Sequence, residues 1–135
     1  MLLVDSSVWI DGMRAITSDA ARFLAGRDES DELATAGVIV QEVLQGSRND
    51  TDFELWRQRF WGMLILEPRE LSTYEVAADL YRRARLKGLT IRKPNDCLIA
   101  ALALEHGALL VHNDRDFTAL AQVEPALLVF PGKPH

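Results

Sequence analysis

Five carboxylate side chains stand out in this sequence because they lie at the ends of short apolar segments or in the stretches that follow them. They are Asp5, Glu42, Asp96, Asp114 and Asp116. If they converge in the folded chain, two charges about 5 Å apart repel by roughly 3 kcal/mol at an effective dielectric constant of about 20. Several such pairs cannot all stay ionised unless a proton or a cation joins them.

The cation that best suits an all-oxygen site is a hard divalent ion, Mg²⁺ or Mn²⁺. Zinc is a poor candidate because the three histidines and the single cysteine, Cys97, show no ligand spacing. A carboxylate-held ion activates water and neutralises phosphate oxygens in hydrolysis, and this chemistry needs no Ser or Cys nucleophile.

The elements that must position the acids follow from the alternation of short apolar segments with longer amphipathic ones, which predicts an α/β fold with a parallel sheet. The predicted strands are residues 2–4, 33–36, 63–66, 108–111 and 127–130. The predicted helices are a short one capped within 17–19, then 38–46, 49–61, 73–87, 96–106 and one from about 116, before a tail at 131–134. Ser72 and Glu75 are predicted to form a capping box at the start of the fourth helix.

Parallel sheets of this kind bind ligands beyond the carboxyl ends of their strands. Asp5 directly follows the first predicted strand, and Asp114 and Asp116 follow the fourth. Asp96 lies at the start of a helix expected to pack on the sheet, and Glu42 falls at the edge of the apolar face of its helix. We therefore expect all five carboxylates to face one crevice.

Taken alone, four of these acids have ordinary structural interpretations. Asp96 suits a helix N-terminus, where it complements the helix dipole, and Asp114 and Asp116 suit turn and cap positions. Glu42 suits a solvated helix face. Asp5 is harder to explain in this way, and the joint pattern is far more specific than any of its members.

The composition predicts a single globular domain over residues 1–135. The apolar share is 48% and the charged share 26%, and the longest apolar run, residues 98–104, is far shorter than the roughly 20 residues of a membrane span. The net charge of −5 argues against nucleic-acid binding by bulk positive charge. Five acids gathered at one site would leave the other acids equal in number to the 15 bases. A single cysteine and the absence of a basic leader suit a protein of the reducing cytoplasm.

The sequence around the acids resembles the PIN-domain ribonucleases, and within them the VapC toxins of prokaryotic toxin–antitoxin pairs. The matching motifs are Leu3-Val4-Asp5-Ser6-Ser7-Val8-Trp9, Val40-Gln41-Glu42-Val43-Leu44-Gln45-Gly46, Lys93-Pro94-Asn95-Asp96-Cys97-Leu98-Ile99-Ala100-Ala101 and Val111-His112-Asn113-Asp114-Arg115-Asp116-Phe117. The resemblance spans residues 5–117. The last two motifs are the most specific, and the one around Glu42 is looser.

The resemblance implies a three-layer α/β/α sandwich with a central parallel sheet. It also implies an endoribonuclease that depends on Mg²⁺ or Mn²⁺, a VapB-type antitoxin that covers the acidic crevice, and a homodimer. By position, Asp5, Glu42, Asp96 and Asp114 match the acidic quartet of the family, and Asp116 matches a frequent fifth acid.

The resemblance also assigns roles within this set. Asp5 and Asp96 are expected to be metal ligands, with Asp114 or Asp116 joining directly or through water. Because the five acids come without another nucleophile, we also expect Glu42 or Asp116 to hold a second ion or to accept the proton of the attacking water. Ser6 matches a small hydroxyl residue that is expected to bind a phosphate or to hold Asp5 in place.

Basic side chains are concentrated before the third motif, where six of the fifteen bases lie within twelve residues. They are Arg82, Arg83, Arg85, Lys87, Arg92 and Lys93. Those in the predicted helix suit its solvated C-terminal end, whereas Arg92 and Lys93 are the better candidates for contact with RNA.

Aromatic side chains recur at helical spacing at Phe53, Trp56 and Phe60, with Trp61 adjacent. This stripe suits either the core or a surface for the antitoxin or a second subunit.

Several other functions fit parts of the pattern. One is a PIN domain for RNA maturation that is not a toxin, and another is a non-catalytic module whose acids hold a metal or a cationic peptide. A receiver-like signalling domain needs paired acids near the first strand, but Asp5 is followed by Ser6 and Ser7. A phosphatase of the D-x-D type carries its pair after the first strand, whereas Asp114-Arg115-Asp116 comes late.

Overall fold

A five-stranded parallel sheet forms the centre of the protein in the computed structural model, which describes residues 1–132. The strands are β1 Leu2–Val4, β2 Leu33–Thr35, β3 Leu64–Ile65, β4 Leu109–Val111 and β5 Val129–Phe130, in the order β3-β2-β1-β4-β5. The helices are α1 Ser6–Met13, α2 Asp19–Ala25, α3 Gly37–Gln45, α4 Asp50–Trp61, α5 Leu71–Leu86, α6 Pro94–His106 and α7 Arg115–Val123. The last two residues of the predicted tail, 133 and 134, lie outside the described residues.

Helices cover both faces of the sheet, and the residues of β1 show why. Successive strand side chains point to opposite faces, so Leu3 packs into the larger apolar cluster while Leu2 and Val4 pack into a second one with α1 and α2. The central strands β1 and β4 are apolar throughout because both of their faces are covered. The predicted α/β/α sandwich is confirmed.

The register of the two central strands places their carboxyl ends side by side. Leu3 pairs with Leu110 and Val4 with Val111, and the N–H of Asp5 donates to the carbonyl oxygen of Val111 at 2.9 Å. The chain leaves β1 and β4 at one edge of the sheet, which is the edge where the acids are expected.

The predicted strands and helices are all present, with ends shifted by a few residues at most, but α1 was not predicted. Its residues include Val8, Trp9, Ile10 and Gly12, which have low helix propensity. The helix is stabilised by packing and by its cap, since Asp5 accepts a hydrogen bond from the N–H of Ser7 at 3.0 Å.

The aromatic stripe of α4 divides between core and surface. Trp56 and Phe60 are buried, and Trp9 of α1 packs against both of them. Phe53 is 40% exposed and Trp61 is 77% exposed. Two of the four aromatic residues are therefore core, and the other two remain available to a partner.

The predicted capping box of α5 is wrong. The helix begins at Leu71, and its N-cap residue makes no side-chain capping hydrogen bond. Thr73 lies inside the first turn, where its buried hydroxyl donates to the Glu105 carboxylate of α6 at 2.6 Å. A tertiary contact fixes this helix start, and a local sequence pattern does not reveal such a contact.

No helix within residues 1–132 has the length and apolarity of a membrane span.

We expect Thr73→Val to lower the free energy of unfolding by about 1 kcal/mol at neutral pH, because the hydrogen bond to Glu105 is lost. That bond lowers the pKa of Glu105, so its contribution is present above the unfolded carboxylate pKa and is lost as the pH falls through the folded value. Urea unfolding of both proteins at neutral and acidic pH measures this.

The exposed Ser72→Ala variant is the control, and we expect it to change stability by less than about 0.5 kcal/mol. A capping box would give the opposite ranking of the two variants.

Candidate metal centre

Asp5 occupies the turn between β1 and α1 and is 1% exposed. Its Oδ2 accepts hydrogen bonds from the Ser7 N–H at 3.0 Å and from the Ser7 hydroxyl at 2.6 Å. The Ser7 hydroxyl in turn accepts the N–H of Asn113 at 3.0 Å. One oxygen of Asp5 is thus spent on the helix cap, and the cap is tied to the loop that follows β4.

Asp114 repeats this arrangement at the start of α7. As the N-cap residue, it accepts the N–H of Asp116 on Oδ1 at 2.9 Å. Its own N–H donates to Nδ1 of the buried His112 at 3.1 Å. Asp116 is 2% exposed, and its Oδ2 accepts the backbone N–H of Arg92 at 3.2 Å.

Asp96 reaches the same place from the first turn of α6 and is 1% exposed. Asp96, Asp114 and Asp116 each offer a carboxylate oxygen, and these three oxygens lie within 4.8 Å of one another. Three of the five sequence-predicted acids therefore form a tight group. They come from two helix starts that are distant in sequence.

Glu42 lies half-buried on α3 and faces the same charges. Its Oε2 lies 3.4 Å from the Ser6 hydroxyl, which donates to it. Ser6 thus contacts Glu42, and the hydroxyl that holds Asp5 belongs to Ser7. The signal for Ser7 was present in the sequence, because an Asp two residues before a Ser at a strand end is a common capping arrangement.

Three carboxylate oxygens of the five acids are buried without any hydrogen-bond donor, and two of them belong to residues outside the 4.8 Å group. The three are Asp5 Oδ1, Glu42 Oε1 and Asp96 Oδ2. An unsatisfied buried acceptor costs about 1–3 kcal/mol, and more when it is charged. A divalent ion bound at this centre would give such oxygens a partner, so the carboxylates present fit a hard cation.

The pKa shifts of these acids also agree with a site for a cation. Burial raises the pKa of Asp5, Glu42 and Asp96, and the Asp5 charge adds to the effect on the other two. The pKa of Asp96 reaches about 8. Burial opposes ionisation of Asp114 as well, but Lys93, the Asp116 N–H and Arg92 outweigh it and hold its pKa below the usual range.

The two cations that sequence analysis singled out lie against these acids. Lys93 Nζ lies 2.7 Å from Asp114 Oδ2, and the Arg92 guanidinium lies 3.4 Å from Asp114 and 3.6 Å from Asp116. By contrast, Arg82 and Arg83 pair with Asp79 on their own helix. Arg83 also donates to the Val123 carbonyl oxygen of α7 at 2.7 Å, so both of these arginines have partners away from the acidic centre.

Cys97 and His112 border the centre without the properties of a nucleophile or a base. Cys97 is 2% exposed, and burial raises the pKa of its thiol to about 11. Burial also lowers the pKa of His112, whose ring nitrogens bond the Asp114 N–H and the Pro131 carbonyl oxygen. His112 holds the loop that carries Asp114.

The chain matches the family model of the PIN domain over residues 2–123. VapC ribonuclease Mb1587 of Mycobacterium bovis is 38% identical over 127 residues, which cover 91% of this chain and 93% of the relative. Ribonuclease VapC4 of Mycobacterium tuberculosis is 33% identical over 129 residues, covering 90% and 92%.

Two solved structures are similar in fold at 20% identity. VapBC-1 from nontypeable Haemophilus influenzae has a TM-score of 0.72 and 95% coverage of both chains. A toxin–antitoxin complex from Klebsiella pneumoniae has a TM-score of 0.71, with coverage of 99% of this chain and 100% of that chain.

We expect the metal-free protein to lose stability as the pH rises from about 5 towards 8. An acid whose folded pKa is raised contributes stability below its unfolded pKa and loses it as the pH passes the folded value, here about 8 for Asp96. His112 works in the opposite direction, because its folded pKa is lowered. Comparison with Asp96→Asn, which retains His112, separates the two effects.

Thermal unfolding in a chelator across this pH range is the measurement. The melting temperature of wild type should fall relative to that of Asp96→Asn as the pH rises, and added Mn²⁺ should reduce the difference. Parallel pH profiles for the two proteins would contradict the raised pKa of Asp96.

Proposed function

The chain belongs to the PIN-domain family, among the VapC ribonucleases, and on that premise we propose that it is the toxin of a type II toxin–antitoxin system. It hydrolyses RNA phosphodiester bonds as an endoribonuclease, using Mg²⁺ or Mn²⁺ held by carboxylates. It acts as a single PIN domain in the cytoplasm, where its RNA substrate is found.

One observation carries this proposal. Buried or half-buried carboxylates from the β1–α1 turn, α3, the start of α6 and the start of α7 interact with one another at the carboxyl ends of the strands, and three of their oxygens have no hydrogen-bond donor. A peptide-binding module would have no need for oxygens this deeply buried. Such oxygens suit a small divalent ion, which several carboxylates can bind at once.

Among the acids, Asp5, Asp96 and Asp114 are proposed as metal ligands, with Asp116 joining directly or through water. Asp5 and Asp96 offer unpartnered oxygens, and each of Asp114 and Asp116 contributes one to the 4.8 Å group. When bound, the ion would activate water and neutralise charge on the phosphate.

Glu42 is the better candidate for the residue that accepts the proton of the attacking water. Burial raises the pKa of Glu42, which brings a carboxylate closer to the range where it takes up a proton at neutral pH. The Oδ2 of Asp116 already accepts the Arg92 N–H. Ser6, within reach of Glu42, orients it.

Partner surfaces fit the toxin assignment. A groove between α1, α3 and α4 is lined by apolar side chains and by four charged ones, Arg14, Arg48, Asp52 and Arg59. We propose that it holds a segment of a VapB-type antitoxin, which also covers the acidic crevice.

The exposed apolar surface around β3 suits a second copy in a homodimer. Trp61 at the end of α4 is 77% exposed, and Leu64 and Ile65 of β3 are 41% and 43% exposed. A monomeric protein rarely leaves contiguous apolar side chains of this size in water.

We expect Asp5→Asn and Asp96→Asn each to reduce RNA cleavage by at least about 100-fold, because even the loss of residues that only orient metal ligands costs 10–100-fold. The assay uses total RNA with Mg²⁺ or Mn²⁺. A chelator should abolish cleavage by wild type.

The control is Asp79→Asn, which changes an exposed acid of α5 and should cleave at the wild-type rate. Cleavage by Asp96→Asn at the rate of this control would contradict the proposed mechanism.

Toxicity distinguishes a toxin from a PIN domain of RNA maturation. Production of wild type in a bacterial host should arrest growth, because uncontrolled RNA cleavage stops translation, and Asp96→Asn should not. Co-production of the neighbouring gene product should restore growth. That gene product should also co-purify with the chain. Active cleavage in vitro without growth arrest would favour RNA maturation.

A further inference from the structure

The segment that precedes α6 sends a cation into the acidic group. Lys93 Nζ lies 2.7 Å from Asp114 Oδ2 and 4.0 Å from Asp96 Oδ2. The side chains of these acids are 6% and 1% exposed, whereas that of Lys93 is 47% exposed. The ammonium therefore enters a buried anionic site from the solvent side.

The partners of each oxygen show which atoms Lys93 occupies. Asp114 Oδ1 accepts the Asp116 N–H at 2.9 Å and lies 3.4 Å from the Arg92 guanidinium. Asp114 Oδ2 faces Lys93. Asp96 Oδ2, which has no hydrogen bond, faces it too. The ammonium thus faces two of the oxygens that remain for an ion, and the unpartnered Asp5 Oδ1 is a third.

We propose that Lys93 is a tethered counter-cation that holds the metal position in the ion-free protein and leaves it when the divalent ion binds. This inference rests on the proposed function, because it concerns the same carboxylates. It assigns Lys93 a role opposed to metal binding, in addition to any contact with RNA.

The Lys93 side chain can move away from the acids while its backbone stays in place. The Lys93 carbonyl accepts the Asp96 N–H at 2.9 Å, which fixes the start of α6. The ammonium sits on a flexible stem that is half in solvent. Arg92 differs, because its guanidinium lies against Asp114 and Asp116 and its backbone N–H donates to Asp116. Of the two cations, Lys93 is the one that faces Asp96 Oδ2 and Asp114 Oδ2, whereas Arg92 faces the Oδ1 atoms of Asp114 and Asp116.

The carboxylates attract both the divalent ion and the Lys93 ammonium, and the affinity for the ion depends on the difference between these two attractions. An ion that enters must displace the ammonium from the carboxylates, so it binds more weakly than the same oxygens would allow without the lysine. The lysine in turn lowers the repulsion among carboxylates when no ion is present. The ion-free fold is stabilised at the expense of metal affinity.

The test compares Lys93→Met, which keeps the apolar stem and removes the charge, with Lys87→Met. Lys87 is an exposed lysine at the end of α5 and is the matched control. Calorimetric titration of the chelated, then dialysed, full-length proteins with Mn²⁺ gives the dissociation constant. We expect Lys93→Met to bind Mn²⁺ about tenfold more tightly than wild type, or about 1.4 kcal/mol, and Lys87→Met to match wild type.

Thermal unfolding supplies an independent readout. In a chelator, Lys93→Met should melt below both wild type and Lys87→Met, and saturating Mn²⁺ should raise its melting temperature by more than it raises theirs. A Mn²⁺ dissociation constant for Lys93→Met equal to or weaker than that of wild type overturns the inference about Lys93 and leaves the proposed function standing. Failure of wild type and both variants to bind Mn²⁺ overturns both.

Discussion

The carboxylates of the candidate metal centre repel one another, because the fold holds them close together and away from water. The rest of the structure must offset this repulsion. Asp5 and Asp96 are each 1% exposed, and both carry an oxygen without a donor. Ionisation of a buried carboxylate without a partner is costly, so such a group takes up a proton or a cation. The parallel sheet, the helix caps and the two cations of the 92–93 segment all serve to hold this arrangement together.

The fold was predictable because its central strands are short, wholly apolar and bounded by clear breaks, as in β1 and β4. The site could be predicted because a parallel sheet brings the residues after Val4 and Val111 to one edge. Helix α1 was not predicted because it is stabilised by the packing of residues such as Val8 and Trp9. A local propensity does not report such packing.

The sequence predicts which residues form the candidate site better than it predicts the contacts between them. Asp5, Asp96 and Asp114 could be named from their places, yet which oxygen is capped and which is free depends on side-chain torsions. The same holds for Lys93, which was a candidate for RNA contact and lies against Asp114. The start of α5 was misplaced for a related reason, because Thr73 bonds a glutamate 32 residues away.

The double use of Asp5 and Asp114 as helix caps has a consequence for how this family of sites can change. Each residue gives one oxygen to a backbone N–H of its own helix and turns the other towards the centre. Asparagine caps a helix as well as aspartate does. If these oxygens hold the ion as proposed, replacement of one of them by an amide nitrogen would remove a metal ligand and keep the helix cap. A single nucleotide change, from an Asp codon to an Asn codon, would then separate an active form of the chain from an inactive form with the same fold.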